Sequence, residues 1–364
     1  MPLKRRVVIF GPALNAVSGV STHLNLLLNS SLASDYDFHH FQVGSEGRKE
    51  GKFQRLARFL LSPIELAWFL IRKRPQIVHI NTSMDRKAFW RDLTYLFVTK
   101  TLGLKVVNQF HSGSSPDGLF KGRFPRFLLK RFLLSSDVVT VLSAEALTFH
   151  KDFDPGIRVE LVPNAIDTIG LLDEERGSVD RHLPLKLVYV GRIVQSKGLC
   201  DALQALQILK QDGYQFHLDI AGSGPDEGAA RQLTTQLNLE NEVTFLGPVF
   251  GAAKYKLWLR SDVQVFPTYH NEGLPYSILE SLAAGCVPIT CRVAAIPDVM
   301  QEGVHGLFVA ARDADAIAAA IRRLADDRLA LQKMSCAGRE RVREQYTVDR
   351  LANRFGAIYK RLEG

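Results

Sequence analysis

A chain of 364 residues with 46% hydrophobic and 23% charged residues has a globular makeup and is long enough for two domains, each with its own core. It has no apolar run of about 18 residues to cross a membrane. Its four cysteines (Cys200, Cys286, Cys291, Cys336) lack the C-x-x-C spacing of a zinc site and read as reduced thiols, with no disulfides implied. MPLKRRVVIF passes straight from a basic cluster into a strand, without the long apolar core of a leader, so a cytoplasmic location is expected.

The predicted elements alternate strand and helix. RRVVIF (5–10) is the first strand, followed by a loop and a helix from about Val20. Strands recur at DFHHFQV (37–43), QIVHIN (76–81), KVVNQF (105–110), DVVTVL (137–142) and RVELV (158–162). The loop-like stretch TIGLLDEERGSVDRHLP (168–184) reads as a linker. Beyond it come KLVYVG (186–191), FHLDIAG (216–222), EVTFLG (242–247), DVQVFP (262–267) and VPIT (287–290), and a last helix runs from Val348 to Leu362. This alternation predicts an α/β fold with parallel sheets covered on both faces.

The net charge of +8 is unevenly spread. Residues 1–150 hold 21 Lys+Arg against 10 Asp+Glu, and residues 151–364 hold 25 against 28. The excess concentrates between Lys52 and Arg131, where 16 basic residues face 4 acidic ones. Two pieces there, Lys52 to Pro75 and Gly122 to Ser136, mix Arg and Lys with Phe, Leu and Trp at near-helical spacing. Core helices with a solvated basic face would read the same way. Two such pieces in one half favour a peripheral contact with an anionic membrane. No motif of a nucleic-acid module occurs, so no nucleic-acid partner is expected.

The densest chemistry lies at PTYHNEGLPYSILESLAAGCVP, Pro267 to Pro288. Glu272 and Glu280 stand eight residues apart, with Gly273-Leu274-Pro275 after the first. Pro275 in a first turn and Gly285 past the end delimit a helix that follows the apolar VQVF. A helix N-terminus at a strand end offers backbone N–H groups and a partial positive charge, a seat for phosphate, and Gly273 leaves its approach clear. Ionised carboxylates only accept hydrogen bonds, so a pair of them beside that seat points to a ligand with hydroxyls as well: a phosphate joined to sugars. At about 100° per residue, positions eight apart diverge by roughly 80°, so the glutamates fit as one loop and one helix residue on a long ligand. Upstream, LKLVYVGRIVQSKGLCDAL (185–203) runs from a strand through Gly191-Arg192 to Lys197-Gly198 and a helix. Arg192 offers a planar fork and Lys197 a point charge, able together to straddle a diphosphate.

GRIVQSKG followed downstream by EGLPYSILE resembles the retaining glycosyltransferases of family 4, with the GT-B fold. SGVSTH (18–23), VPNAID (162–167) and AGSGP (221–225) extend the resemblance over essentially the whole chain. It implies two Rossmann-like doubly wound domains facing a central cleft. Residues 1–170 would bind the acceptor and 185–346 the nucleotide-sugar donor, with the helix at 347–364 packing back on the first. The site would lie at the carboxyl ends of both sheets. By the same resemblance Arg192 and Lys197 bind the donor diphosphate and stabilise its departing charge. Glu280 accepts from the ribose, Glu272 from the transferred sugar, and the backbone of Gly273, Leu274 and Pro275 faces the phosphate. Gly19, Gly191, Gly222 and Val249 complete the donor site. His111, closing KVVNQFH, stands near the transferred sugar as a catalytic residue with Arg192, Lys197 and Glu272. His23 and His79 read as core histidines, and Asn164 lies near the hinge. Ala165 and Ala294-Ala295 stand where the family usually has Gly and Gly-Gly, and the second departure bears on any contact there that needs positive φ.

The implied reaction moves a sugar, with retention, from a nucleotide-diphosphate sugar (UDP favoured, GDP next) to a hydroxyl of a glycan or lipid-linked acceptor. Polysaccharide or lipopolysaccharide synthesis at the inner face of the cytoplasmic membrane is the expected setting. No carboxylate stands out as a covalent nucleophile beside the bond, so a same-face substitution is expected. The triplets Asp35-Tyr36-Asp37, Asp152-Phe153-Asp154 and Asp313-Ala314-Asp315 sit at loops or helix starts, where Asp caps well, and no metal or other cofactor is expected. A nucleotide-sugar epimerase or hydrolase of the same fold, and a non-catalytic nucleotide-sugar-binding protein, stay open as alternatives. A nicotinamide-dependent dehydrogenase would explain two Rossmann-like halves. GSGPDEG (222–228), however, misses the dinucleotide spacing by one residue, and Arg192, Lys197 and both glutamates are left without a role.

Overall fold

The computed structural model describes residues 4–48, 50–83, 85–113, 115–172, 184–270 and 273–363. Glu272 and most of the expected linker fall outside the described residues. Contacts divide the chain into two units: Met1–Ala165 with Glu272–Leu274 and Val348–Gly364, and Ile166–Asn271 with Pro275–Thr347.

The first unit opens with β1 (Arg5–Gly11), α1 (Gly19–Leu28), α2 (Leu32–Asp35), β2 (Tyr36–Gln42), α3 (Lys52–Lys73) and β3 (Ile77–Thr82). It continues through α4 (Arg86–Thr101), β4 (Lys105–Phe110), α5 (Pro116–Leu119), α6 (Arg123–Ser135), β5 (Val138–Val141), α7 (Ala144–Phe153) and β6 (Val159–Leu161). The six strands pair in parallel in the order β2-β1-β3-β4-β5-β6. Every residue of β3 is buried, as expected of an inner strand with both faces covered. Leu66 and Leu70 of α3, Leu96 of α4 and Phe132 of α6 pack with Val8, Phe10, Val78 and Ile80 on one side. Val7, Ile9 and Ile77 point to the other, where Leu24 and Leu27 of α1 meet the last helix.

The second unit runs through β7 (Leu185–Val190), a 3₁₀ turn (Gln195–Lys197), α8 (Leu199–Gln211), β8 (Phe216–Ala221), α9 (Glu227–Gln236), β9 (Val243–Gly247), α10 (Gly251–Arg260) and β10 (Val263–Phe266). It ends with α11 (Tyr276–Ala284), β11 (Val287–Cys291), α12 (Ile296–Val299), β12 (Leu307–Val309), α13 (Ala314–Asp326) and α14 (Arg328–Gln345). These strands are also parallel, in the order β12-β11-β10-β7-β8-β9. From β7 the chain builds outward through β8 and β9, then returns to build the other side from β10. That reversal is a topological switch point, and it opens a crevice at the carboxyl ends of β7 and β10. β12, only three residues long, gave no readable period in the sequence.

The last helix, α15 (Val348–Glu363), belongs to the first unit. Leu351, Phe355, Ile358 and Tyr359 form one stripe at helical spacing and are buried in the α1 side of that core. No helix among the described residues is long and apolar enough to cross a membrane.

Candidate functional site

The loop after β7 holds Gly191, Arg192 and Lys197, and neighbouring loops fix its path. Ile193 N donates to Ser223 O at 2.9 Å and Gln195 N to Asp226 Oδ2 at 2.7 Å, which ties it to the loop after β8. Tyr269 N donates to Ser196 O at 2.9 Å, and Ser196 Oγ lies 2.9 Å from His270 Nδ1, which ties it to the loop after β10. The packing leaves no room for side chains at two glycines. Gly222 has φ +152°, and a Cβ there would stand 1.8 Å from Gly191 O. Gly198 has φ +75°, and a Cβ there would stand 2.4 Å from Pro267 O. Arg192 is exposed, while Lys197 is half-buried with its Nζ 5.4 Å from the Phe266 ring centre. A 3₁₀ turn thus precedes the helix that the sequence opened directly at Lys197-Gly198.

After β10 the chain reaches Gly273, Leu274 and Pro275, all buried, and enters α11, whose N-terminus receives no side-chain cap from the described residues. Pro275 stands one position ahead of the expected first turn, at the N-cap with φ −64° and ψ 126°. Gly285 ends the helix at φ 73°. Glu280 lies on α11, only 8% exposed, with two donors from α10: Lys254 Nζ at 2.7 Å from Oε1 and Trp258 Nε1 at 3.1 Å from Oε2. A carboxylate offers about four acceptor positions, so each oxygen keeps capacity for a ligand hydroxyl. The sequence reading missed Lys254 and Trp258. Their spacing of four on one helix face was a signal, but not one that indicated which acid they meet. On the same face of α11, Tyr276 keeps its Oη buried without a hydrogen-bond partner, and burial followed by the Glu280 charge raises its pKa.

In the first unit, chain segments far apart in sequence converge on a histidine cluster. The His23 ring meets the His111 ring edge-on at 4.8 Å between centres. His79 Nδ1 is 2.7 Å from Tyr359 Oη and its Nε2 3.2 Å from Gln109 Oε1. His111 Nε2 is 2.9 Å from Asn81 Oδ1. Both His23 ring nitrogens are buried without a hydrogen bond of normal geometry, although Gln109 and Asn164 stand near. Burial lowers the His23 pKa to about 4 and the His79 pKa to about 3. Burial, then the neighbouring His23 and His79, holds His111 well below the usual range. Neutral imidazoles are the result. Gly273 packs here too, since a Cβ on it would lie 2.3 Å from His111 O, and Asn164 Nδ2 donates to Leu274 O at 2.8 Å.

Gly19 opens α1 in an exposed position in the first unit, and half-buried Val249 lies in the loop after β9 in the second. Asp313 caps α13 through Ala316 N at 2.8 Å, Asp154 accepts from Gly156 N at 2.7 Å, and Asp37 lies 3.2 Å from His39 Nε2. Ala294 takes φ +48°, so the backbone holds a left-handed turn there even with a Cβ.

Two doubly wound parallel-sheet units, the second with paired cations and a glycine-packed loop at its switch point, define a GT-B glycosyltransferase fold. Residues 17–169 match the family described as Glycosyltransferase Family 4, and residues 174–341 match Glycosyl transferases group 1. The chain belongs to this family, as its motifs indicated. A glycogen synthase of Mycobacterium tuberculosis is 28% identical over 57% of this chain and 50% of its own length. A GDP-mannose-dependent alpha-(1-6)-phosphatidylinositol monomannoside mannosyltransferase of the same organism is 29% identical over 62% of each. The chain thus spans about half to three-fifths of the length of these relatives. The Anabaena protein HepE, solved in complex with UDP, shares the fold with a TM-score of 0.77 at 14% identity, over 98% of this chain and 99% of that one.

Proposed function

We propose that the protein transfers a sugar from a nucleotide-diphosphate sugar to a hydroxyl of a glycan or lipid-linked acceptor, with retention of configuration. One observation carries this reading. The switch point of the second sheet brings Arg192 and Lys197, on the loop after β7, to the same edge as the start of α11 after β10, with Glu280 on that helix. Cations and free helix N–H groups suit a diphosphate, and a buried acceptor-only carboxylate suits ribose hydroxyls.

In this reading Arg192 and Lys197 stabilise the leaving diphosphate, so neither a metal nor another cofactor is required. Glu272 and His111 serve the transferred sugar, and His111, held neutral, interacts with it without adding a cation. As the bond from the sugar to the diphosphate breaks, the departing oxygen takes the acceptor's proton and the new bond forms on the same face. UDP is the favoured nucleotide, in keeping with the UDP bound by the structural relative, and GDP the next, in keeping with the GDP-mannose of the mannosyltransferase. Cell-surface polysaccharide or lipopolysaccharide synthesis is the proposed setting.

Thermal shift against UDP, GDP, ADP, CDP and dTDP, with NAD and NADP as controls, tests this. A nucleotide at about 100 times its Kd adds about 2.7 kcal/mol of stability, which a raised melting temperature reports. One diphosphate is expected to stabilise the protein and to lose its effect in Lys197→Ala. A response to NAD alone would overturn the assignment.

A further inference from the structure

The first unit turns an apolar surface outward where a helix layer covers its sheet. In α3 the buried positions are Ser62, Leu66 and Leu70, one stripe at a spacing of four. At about 100° per residue, Phe53, Leu56, Leu60, Ile64, Trp68 and Ile71 fall within about 120° on the opposite side. Each is more than half exposed, Phe53 at 89% and Ile64 at 69%. The helix thus inverts the usual pattern, in which the apolar stripe faces the core and the solvent side is polar. Ser62, Leu66 and Leu70 seat it on the sheet together with half-buried Phe69, whose ring lies 5.3 Å from that of Phe41, and the Tyr95 hydroxyl of α4 donates to Ser62 Oγ at 2.9 Å.

Its neighbours in the same layer continue the pattern. On α4, Trp90 and Phe97 are exposed seven residues apart, and on α6 Phe124 and Phe127 are exposed three apart. Cations stand beside the rings: the Arg72 guanidinium lies 5.2 Å from the Trp68 ring and that of Arg131 5.5 Å from Phe127. Arg55 of α3 and Arg123 of α6 are exposed as well, and Glu65 is the one acidic residue of α3.

We infer that α3, with the outer faces of α4 and α6, docks the protein on an anionic lipid surface. The charge selects this occupant. Aromatic and aliphatic side chains backed by unbalanced cations complement an acyl boundary under anionic headgroups. A second copy of the chain would set the same arginines against one another across a two-fold axis. The inference does not depend on the sugar chemistry.

Sedimentation of the full chain with phosphatidylcholine vesicles, with and without phosphatidylglycerol, at low and high salt, tests it. Binding is expected only with phosphatidylglycerol and is weakened by salt. Arg55→Gln and Arg72→Gln should each lower the partition about fivefold. Trp68→Asp should abolish binding while shifting the melting temperature by only a few degrees, because most of that side chain already faces water. Absent binding to the anionic vesicles, or equal binding to both kinds at every salt, would overturn the inference. So would a dimer in light scattering that Trp68→Asp dissociates while the vesicles stay bare.

Discussion

Glu280 holds α10 to α11, and in the proposed reading the same carboxylate also receives the ribose. Its carboxylate satisfies a lysine and an indole from α10 while nearly withdrawn from water. Glu280→Ala would strand two donors, a loss of about 1–3 kcal/mol for a buried unpaired group. At about 2–4 °C per kcal/mol for a unit of this size, the melting temperature should fall measurably even without nucleotide. An unchanged melting temperature would mean that the two donors find water in its place. Glu280, Arg192 and Lys197 were legible in the sequence because their spacing from strand ends and glycines is local. Lys254 and Trp258 were not, since the acid that they meet sits one strand away. The histidine cluster was hidden for the same reason: α1, β3, β4 and α15 supply it, and only the strand order brings them together.

Strands stood out in the sequence wherever burial on both faces produced a continuous apolar run, as in VVIF of β1 and LVYV of β7. Short elements without such a run, β12 and α12 among them, were invisible. The glycines between elements are where the fold of the second unit is most exposed to change. Gly222→Ala forces a Cβ against the Gly191 carbonyl and should lower both the melting temperature and any nucleotide response, because the loop of Arg192 would shift. Gly228→Ala, inside α9 with open space around it, should raise stability by about 0.5–1 kcal/mol. Equal effects from the two would contradict the packing described for these loops. For α3 the sequence disclosed amphipathicity but not its direction. Which stripe faces the sheet depends on tertiary contacts that no period encodes.

At the scale of the molecule, the first core stores a pH dependence. The buried imidazoles of His23 and His79 have pKa values below the unfolded value of 6.5, at about 4 and about 3. Below 6.5 the unfolded chain takes up protons that the folded chain refuses. The stability present above pH 6.5 therefore declines as pH falls toward 4 and then 3. For His23 alone this amounts to about 3 kcal/mol over the window. Denaturant titrations at pH 7, 5 and 4 should show the midpoint falling stepwise, and a constant midpoint from pH 7 to 5 would argue that these rings are protonated in the fold. Proton NMR of the sugar product formed from UDP-hexose or GDP-hexose, whichever nucleotide stabilises the protein, tests the proposed transfer. Nucleoside diphosphate is expected to be released together with a product of the donor's own anomeric configuration, formed equally well with a chelator present. An inverted anomer, or an intact donor alongside tight nucleotide binding, would contradict it.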